Sequence, residues 1–171
     1  MKNLLILLLF LSLFGCNTII KNKQVSSNFN CPRVYFSSED RVFVDTIEGR
    51  SSIDDVTFKA ELNNFAFIDK CYEQNEVVVI PIEILIITQP MDELRKPDIS
   101  IPIYAALLDQ NDKIIETQYF MVNNSIKKNF ETKNFMETDI KDNIYIFTKS
   151  LETDQVVLGF MLDDKKRLLV N

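Results

Sequence analysis

Three cysteines, no histidine and a surplus of carboxylates define the chemistry open to this 171-residue chain. Cys16, Cys31 and Cys71 offer thiol chemistry: acylation, oxidation to a disulfide, or metal ligation. Without histidine neither a Ser-His-Asp nor a Cys-His arrangement exists, and a zinc centre on two cysteines would need unusual carboxylate partners. Beyond residue 15 the only glycines are Gly49 and Gly159, too few for a phosphate-cradling loop or a dinucleotide fingerprint. The neighbours Glu39-Asp40, Asp54-Asp55 and Asp163-Asp164 keep two-carboxylate chemistry formally open. Each pair falls at an expected turn or strand end, however, and adjacent residues on an extended chain point to opposite faces. Asp54-Asp55 and Asp109 to Asp112 could hold Ca²⁺ but lack the Asp-x-Asp-x-Asp-Gly loop that makes such a site specific. The expectation is a protein that is not an enzyme and carries no cofactor or metal.

The N-terminus reads as an export signal: Met1-Lys2-Asn3, an apolar run from Leu4 to Phe10, then Leu13-Phe14-Gly15-Cys16. That run is shorter than the roughly 20 residues needed to span a bilayer. Leu13, three places before Cys16, suits the pattern of a bacterial lipoprotein signal, which this segment resembles; Phe14 is bulkier than usual there. A conventional secreted protein is the alternative. The resemblance implies that residues 1–15 are removed and that Cys16 carries diacylglycerol on sulfur and a further chain on its amine, enough for stable anchoring. Asn17 in place of aspartate favours the outer membrane, with the domain facing the periplasm.

Removal of 15 residues leaves 156, enough for one domain with a real core. Acidic residues outnumber basic ones 25 to 19, and Lys2 leaves with the signal, so the balance moves from −6 to −7. Nucleic acid is therefore not an expected partner. An exported compartment lets Cys31 and Cys71 oxidise. If a strand starting near Cys31 runs beside an antiparallel neighbour ending near Cys71, the two sulfurs meet; two buried free thiols are the other reading.

The elements that must position these groups follow from periodicity. Residues 16–30 are polar and aperiodic, a lipidated tether; residues 31–171 form the single domain. Cys31–Phe36 and Arg41–Val44 read as short edge strands. In Val56–Leu62 every even residue is apolar, and after Asn63-Asn64 the phase switches to Phe65 and Phe67, which predicts a bulge. Val77 to Thr88 is apolar on both faces and reads as a central strand in spite of Pro81. Gln89 to Asp98 is a loop; Ile99–Leu108 and Ile114–Val122 form a hairpin; Asn143–Thr148 and Val156–Leu162 are further strands. Ile126 to Met136 fits a strand or a long loop equally. Asp163 caps a short C-terminal helical turn. Together these predict an all-β immunoglobulin/fibronectin-like antiparallel β-sandwich, with a small β-barrel as the alternative.

The segments Cys31-Pro32-Arg33-Val34, Phe58–Leu62, Cys71-Tyr72, Ile103–Asp109 with Phe120, and Val157–Phe160 resemble a family of uncharacterised alphaproteobacterial lipoproteins. The resemblance implies that Cys31 and Cys71 belong together and that the protein lives in the cell envelope; it brings no activity. Most of the 13 phenylalanines are expected in the core, Phe58, Phe65, Phe67 and Phe120 among them, whereas Phe130 and Phe135 lie amid Lys and Asn and are candidates for an exposed interaction patch. The leading functional expectation is a membrane-anchored, non-enzymatic interaction or structural module that docks on another envelope protein. A periplasmic carrier of a small apolar ligand is the alternative.

Overall fold

The structure, a computed structural model, describes residues 30–170. The expected signal, the expected lipidation site Cys16 and all of the 16–30 tether except Asn30 lie outside the described residues. Nine strands and one short helix follow in order: β1 (Arg33–Phe36), β2 (Val42–Thr46), β3 (Val56–Phe67), β4 (Tyr72–Gln74), β5 (Val77–Pro90), β6 (Asp98–Leu108), β7 (Ile114–Ser125), β8 (Thr138–Thr148), β9 (Gln155–Phe160) and α1 (Asp164–Val170). They form two sheets packed as a sandwich, the expected class, and no barrel closes. One sheet has the order β1-β9-β6-β7. In the other, β2 pairs β3, and β5 pairs β3, β4 and β8. Because β8 occupies β5 from Val78 to Thr88, β4 and β3 share its opposite edge. The pairing of β1 with β9 is parallel, a departure from the expected antiparallel order.

Alternation of apolar residues explains which faces meet. Val56, Phe58, Ala60 and Leu62 of β3 are buried, and the register shifts between Leu62 and Asn64, so the predicted bulge is present. Past it, Phe65 and Phe67 oppose Ile84 and Ile82. Phe65 packs on the core, but Phe67, expected inside, sits at the end of the sandwich and is 39% exposed. Ile80, Ile82, Ile84 and Ile86 of β5 are wholly buried in one cluster with Ile101 and Ile103 of β6, Ile144 and Ile146 of β8, and Leu158 and Phe160 of β9.

Two prolines sit inside paired strands without breaking them. A residue's N and C=O point to the same edge of a strand, and the carbonyl of Pro81 accepts from the N–H of Ile68. The missing N–H of Pro81 therefore faces the break between β3 and β4, where little pairing is lost. Pro102 of β6 follows the same rule: its carbonyl accepts from Met161 N, just past the end of β9.

Cys31, just before β1, is disulfide-bonded to Cys71, between β3 and β4, with Cα atoms 5.1 Å apart. The expected route, between neighbouring strands of one sheet, is not the one used: the bond ties one sheet to the other. On the opposite flank, the Gln118 carboxamide of β7 donates from Nε2 to the carbonyl of Phe147 in β8 and accepts from the Phe147 N–H at Oε1, at 2.7 and 3.3 Å. It thus imitates a strand partner and closes the seam between two edge strands.

The segment Ile126 to Met136, which fits strand or loop equally by sequence, lies in a hairpin-like loop over residues 126–137 closed by one bridge, Lys128 to Phe135. β8 begins at Thr138 rather than Asn143. Its first core-facing positions include Thr138 and Asp142, and these polar residues hide the alternation that Ile140 and Ile144 continue.

Replacing both Cys31 and Cys71 with Ser is expected to cost about 4 kcal/mol, the chain-entropy value for a loop of this length. The check is a fall in Tm of roughly 10 °C. Gln118→Ala uncovers the β8 edge and is expected to give concentration-dependent association by sedimentation velocity; a variant that stays monomeric at every concentration would refute the edge-closing role.

Candidate functional site

The outer face of the β1-β9-β6-β7 sheet is built by every second residue of its strands, because successive side chains point to opposite faces. Val34, Ile101, Ile103, Ala105, Leu107, Val122, Val156, Leu158 and Phe160 point inward and are buried. The register then aligns the outward residues in rows. Tyr35, Val157, Ala106 and Thr117 form one; Gly159, Tyr104 and Tyr119 the next; Pro102 and Met121 the third, with Met161 beside Pro102. Ser100 and Asn123 follow. No charged side chain stands in these rows, although 26% of the chain is Asp, Glu, Lys or Arg. The outer face of the other sheet differs in mixing charge with apolar residues: Lys59, Glu61, Glu83, Asp139 and Lys141 stand at its outward positions beside exposed Tyr145 and Phe147.

Several of these side chains are open to solvent: Tyr119 is 65% exposed, Met121 56%, Met161 43% and Tyr35 42%. These ten outward positions, on strands about 4.8 Å apart and in rows about 7 Å apart, give an uncharged patch on the order of 300 Å². A patch of that size on a soluble domain is often functional. Sequence reasoning did not single it out. The signal was present in the hairpin, where alternate positions Ser100, Pro102, Tyr104, Ala106 and Thr117, Tyr119, Met121, Asn123 are all uncharged, but only the pairing brings them onto one face.

One margin of the patch is tied down by a polar cluster. The Tyr104 ring lies over Gly159, where an added Cβ would come within 2.6 Å of it, so only glycine lets the ring lie there. Its hydroxyl donates to Asp40 Oδ2 at 2.8 Å, and burial pushes the Tyr104 pKa up. Asp40 is itself buried; its Oδ1 lies 2.7 Å from the Arg167 guanidinium, which also stands 3.8 Å from Glu39. Lys166 reaches Asp45 at 3.1 Å and sits over the Phe43 ring. Asp163 Oδ1 accepts from the Lys166 N–H at 2.8 Å, the expected N-cap. Since α1 has no buried residue, these charges dock it.

The acidic neighbours singled out by the sequence are accounted for as structure. In the first pair Asp40 is inside the cluster and Glu39 on its rim; Asp55 pairs with Arg50 at 3.1 Å; Asp163 caps α1. Asp109 accepts from the backbone N–H groups of Asn111 and Lys113 at 2.8 and 3.0 Å, which lowers its pKa and makes it a turn residue. Among the described residues no three His, Cys, Asp or Glu side chains gather as a metal site would require. One depression of about 530 Å³, lined by Asp109, Asn111, Leu151 and Asp154, opens on the surface beside that turn.

Phe130 and Phe135 sit on the same 126–137 loop but in different settings. Phe130 is 88% exposed at the tip, with Lys133 Nζ 4.6 Å from its ring centroid. Phe135 packs against the core, with Lys128 Nζ 4.5 Å from its ring. The loop lies at the end of the sandwich away from Cys31, since it precedes the start of β8, whose far end pairs with β5 near Cys71.

Tyr104→Phe leaves Asp40 Oδ2 buried without its donor and is expected to cost about 1–3 kcal/mol. The wild-type group has a folded pKa above its ordinary 10.0, so its contribution is whole below pH 10.0 and is lost as pH rises toward the folded value. Thermal melts across that range should therefore show an alkaline fall that Tyr104→Phe removes. Gly159→Ala is expected to destabilise by displacing the ring. No protein-family model matches this chain, and no curated protein or solved structure matches it.

Proposed function

We propose that this chain is a lipoprotein of a bacterial cell envelope, anchored through acyl chains on Cys16 in the outer membrane and facing the periplasm. Its domain is a non-enzymatic module that docks another envelope protein on the outer face of the β1-β9-β6-β7 sheet. The carrying observation is the uncharged patch of Tyr35, Tyr104, Tyr119, Met121 and Met161 on an otherwise charged chain. Depletion of charge together with enrichment in Tyr and Met is the composition of the buried centre of protein–protein interfaces. The margin cluster of Asp40, Tyr104 and Arg167 holds one of its aromatic rings in place before any partner arrives. Pre-organisation of this kind lowers the entropy lost on association.

Two further observations support the location. The residues Leu13 to Cys16 have the spacing of a lipoprotein signal. The disulfide Cys31–Cys71 belongs to an oxidising compartment.

A photocrosslinking residue at position 119 in cells is expected to capture one dominant envelope protein, whereas the same residue at position 141, on the charged face, captures none. Met121→Lys should weaken that capture at least about tenfold by placing an unpaired charge in the contact, and Cys16→Ala should abolish it by mislocalisation. Equal labelling from both faces, or capture indifferent to Met121→Lys, would sink the docking face.

A further inference from the structure

We infer that the 126–137 loop is a second contact, which inserts Phe130 into the headgroup region of an anionic lipid bilayer. The inference rests on the envelope location proposed above, but not on the partner of the sheet face. It starts from an ordered turn that holds an aromatic ring in water. Asn129 Oδ1 accepts from the N–H groups of Glu131 and Thr132, both at 2.9 Å, and the Asn129 carbonyl accepts from Lys133 N at 3.0 Å. Asn129 N donates to the Asn134 carbonyl at 2.8 Å, and Lys133 adopts φ of 60°. The base is pinned by buried Ile126 and by Lys127 N donating to Thr138 Oγ1 at 2.9 Å. With the backbone already ordered, Phe130 is presented at little further entropic cost.

Charge and size select the occupant. Residues 126–137 carry Lys127, Lys128 and Lys133 against Glu131 and Glu137, a net positive knob on a chain of net charge −6. Among the described residues none of the three lysines enters an ion pair. Two of the ammonium groups sit beside the rings of Phe130 and Phe135, the pairing of cation and aromatic that suits the boundary between anionic headgroups and acyl chains. A stable protein interface needs roughly 800 Å² from each partner, whereas one exposed aromatic ring supplies about 200 Å². A bilayer needs no shaped partner surface, and a tethered contact gains from high effective concentration. The 15-residue stretch from Cys16 to Cys31 can extend to at most about 50 Å, beyond the roughly 36 Å length of an 11-residue strand such as β8. Anchor and tip can therefore meet the same membrane with the sandwich lying along it.

The chain contains no tryptophan, so Phe130→Trp creates a single reporter in the full acylated protein. In vesicles of phosphatidylcholine with about one-third phosphatidylglycerol, its emission should shift to the blue and be quenched by brominated lipid. Each of Lys127→Gln, Lys128→Gln and Lys133→Gln should lower the inserted fraction roughly fivefold. A chain that floats with the vesicles while the introduced tryptophan emits as in water overturns the inference and leaves the anchor intact. A shift that is equal in pure phosphatidylcholine, or that appears only when an envelope protein is added, also overturns it. A chain that does not float at all removes both the anchor and this contact. Crosslinking from position 119 reads the sheet face independently of every one of these results.

Discussion

The burial of one side of β5 is the constraint on which the rest of the molecule depends. Ile80, Ile82, Ile84 and Ile86 are wholly enclosed, and each such side chain contributes roughly 1.5–3 kcal/mol relative to exposure. The same strand is paired along both edges, by β8 on one and by β3 and β4 on the other. To keep those isoleucines dry, the second sheet must lie over them, which places β6 and β9 opposite with Ile101, Ile103, Leu158 and Phe160 in the same cluster. Even Pro81 obeys the constraint, since its missing donor falls where β5 changes partner.

Two sheets meeting over such a core leave open flanks, and the chain closes them by different means. One end is clamped by the Cys31–Cys71 bond between the sheets. One flank is bridged by Gln118, whose carboxamide stands in for a strand. The β2 side is covered by α1, held by Lys166 and Arg167 on Asp45 and Asp40. Partly buried pairs of this kind owe their strength to low solvent screening.

Beyond the core and the closed flanks, two exposed features set this surface apart. The outward face of one sheet carries charge across its strands, whereas on the other the rows between Arg33 at one end and Asp98 at the other carry none. The tip of the 126–137 loop holds Phe130 in water on an ordered turn, although only about 12 residues build it. In the proposed reading the flat uncharged face docks a partner and the small basic tip touches a bilayer, so the two exposed features serve one anchored module.

Much of the fold was legible in the residues themselves. Period-two patterning in Val56–Leu62, the phase change before Phe65, the doubly apolar Val77–Thr88 and the Asp163 cap each specify a local conformation through nearest-neighbour physics, and each is found. Burial hid the rest. The start of β8 was masked because Thr138 and Asp142 occupy core-facing positions, and Phe67 was misplaced because alternation gives the side it points to and not how far along the sandwich cover extends. The path of the disulfide, the parallel β1–β9 pair, the contact of Asp40 with Tyr104 and Arg167, and the uncharged face could be settled only by the tertiary structure. Each depends on residues 40 to about 130 positions apart, whose meeting is decided by which strands pair and not by anything local to either residue. The sequence by itself therefore determined the strands, their inward faces and the chemistry available; sheet order decided which of those residues became a surface together.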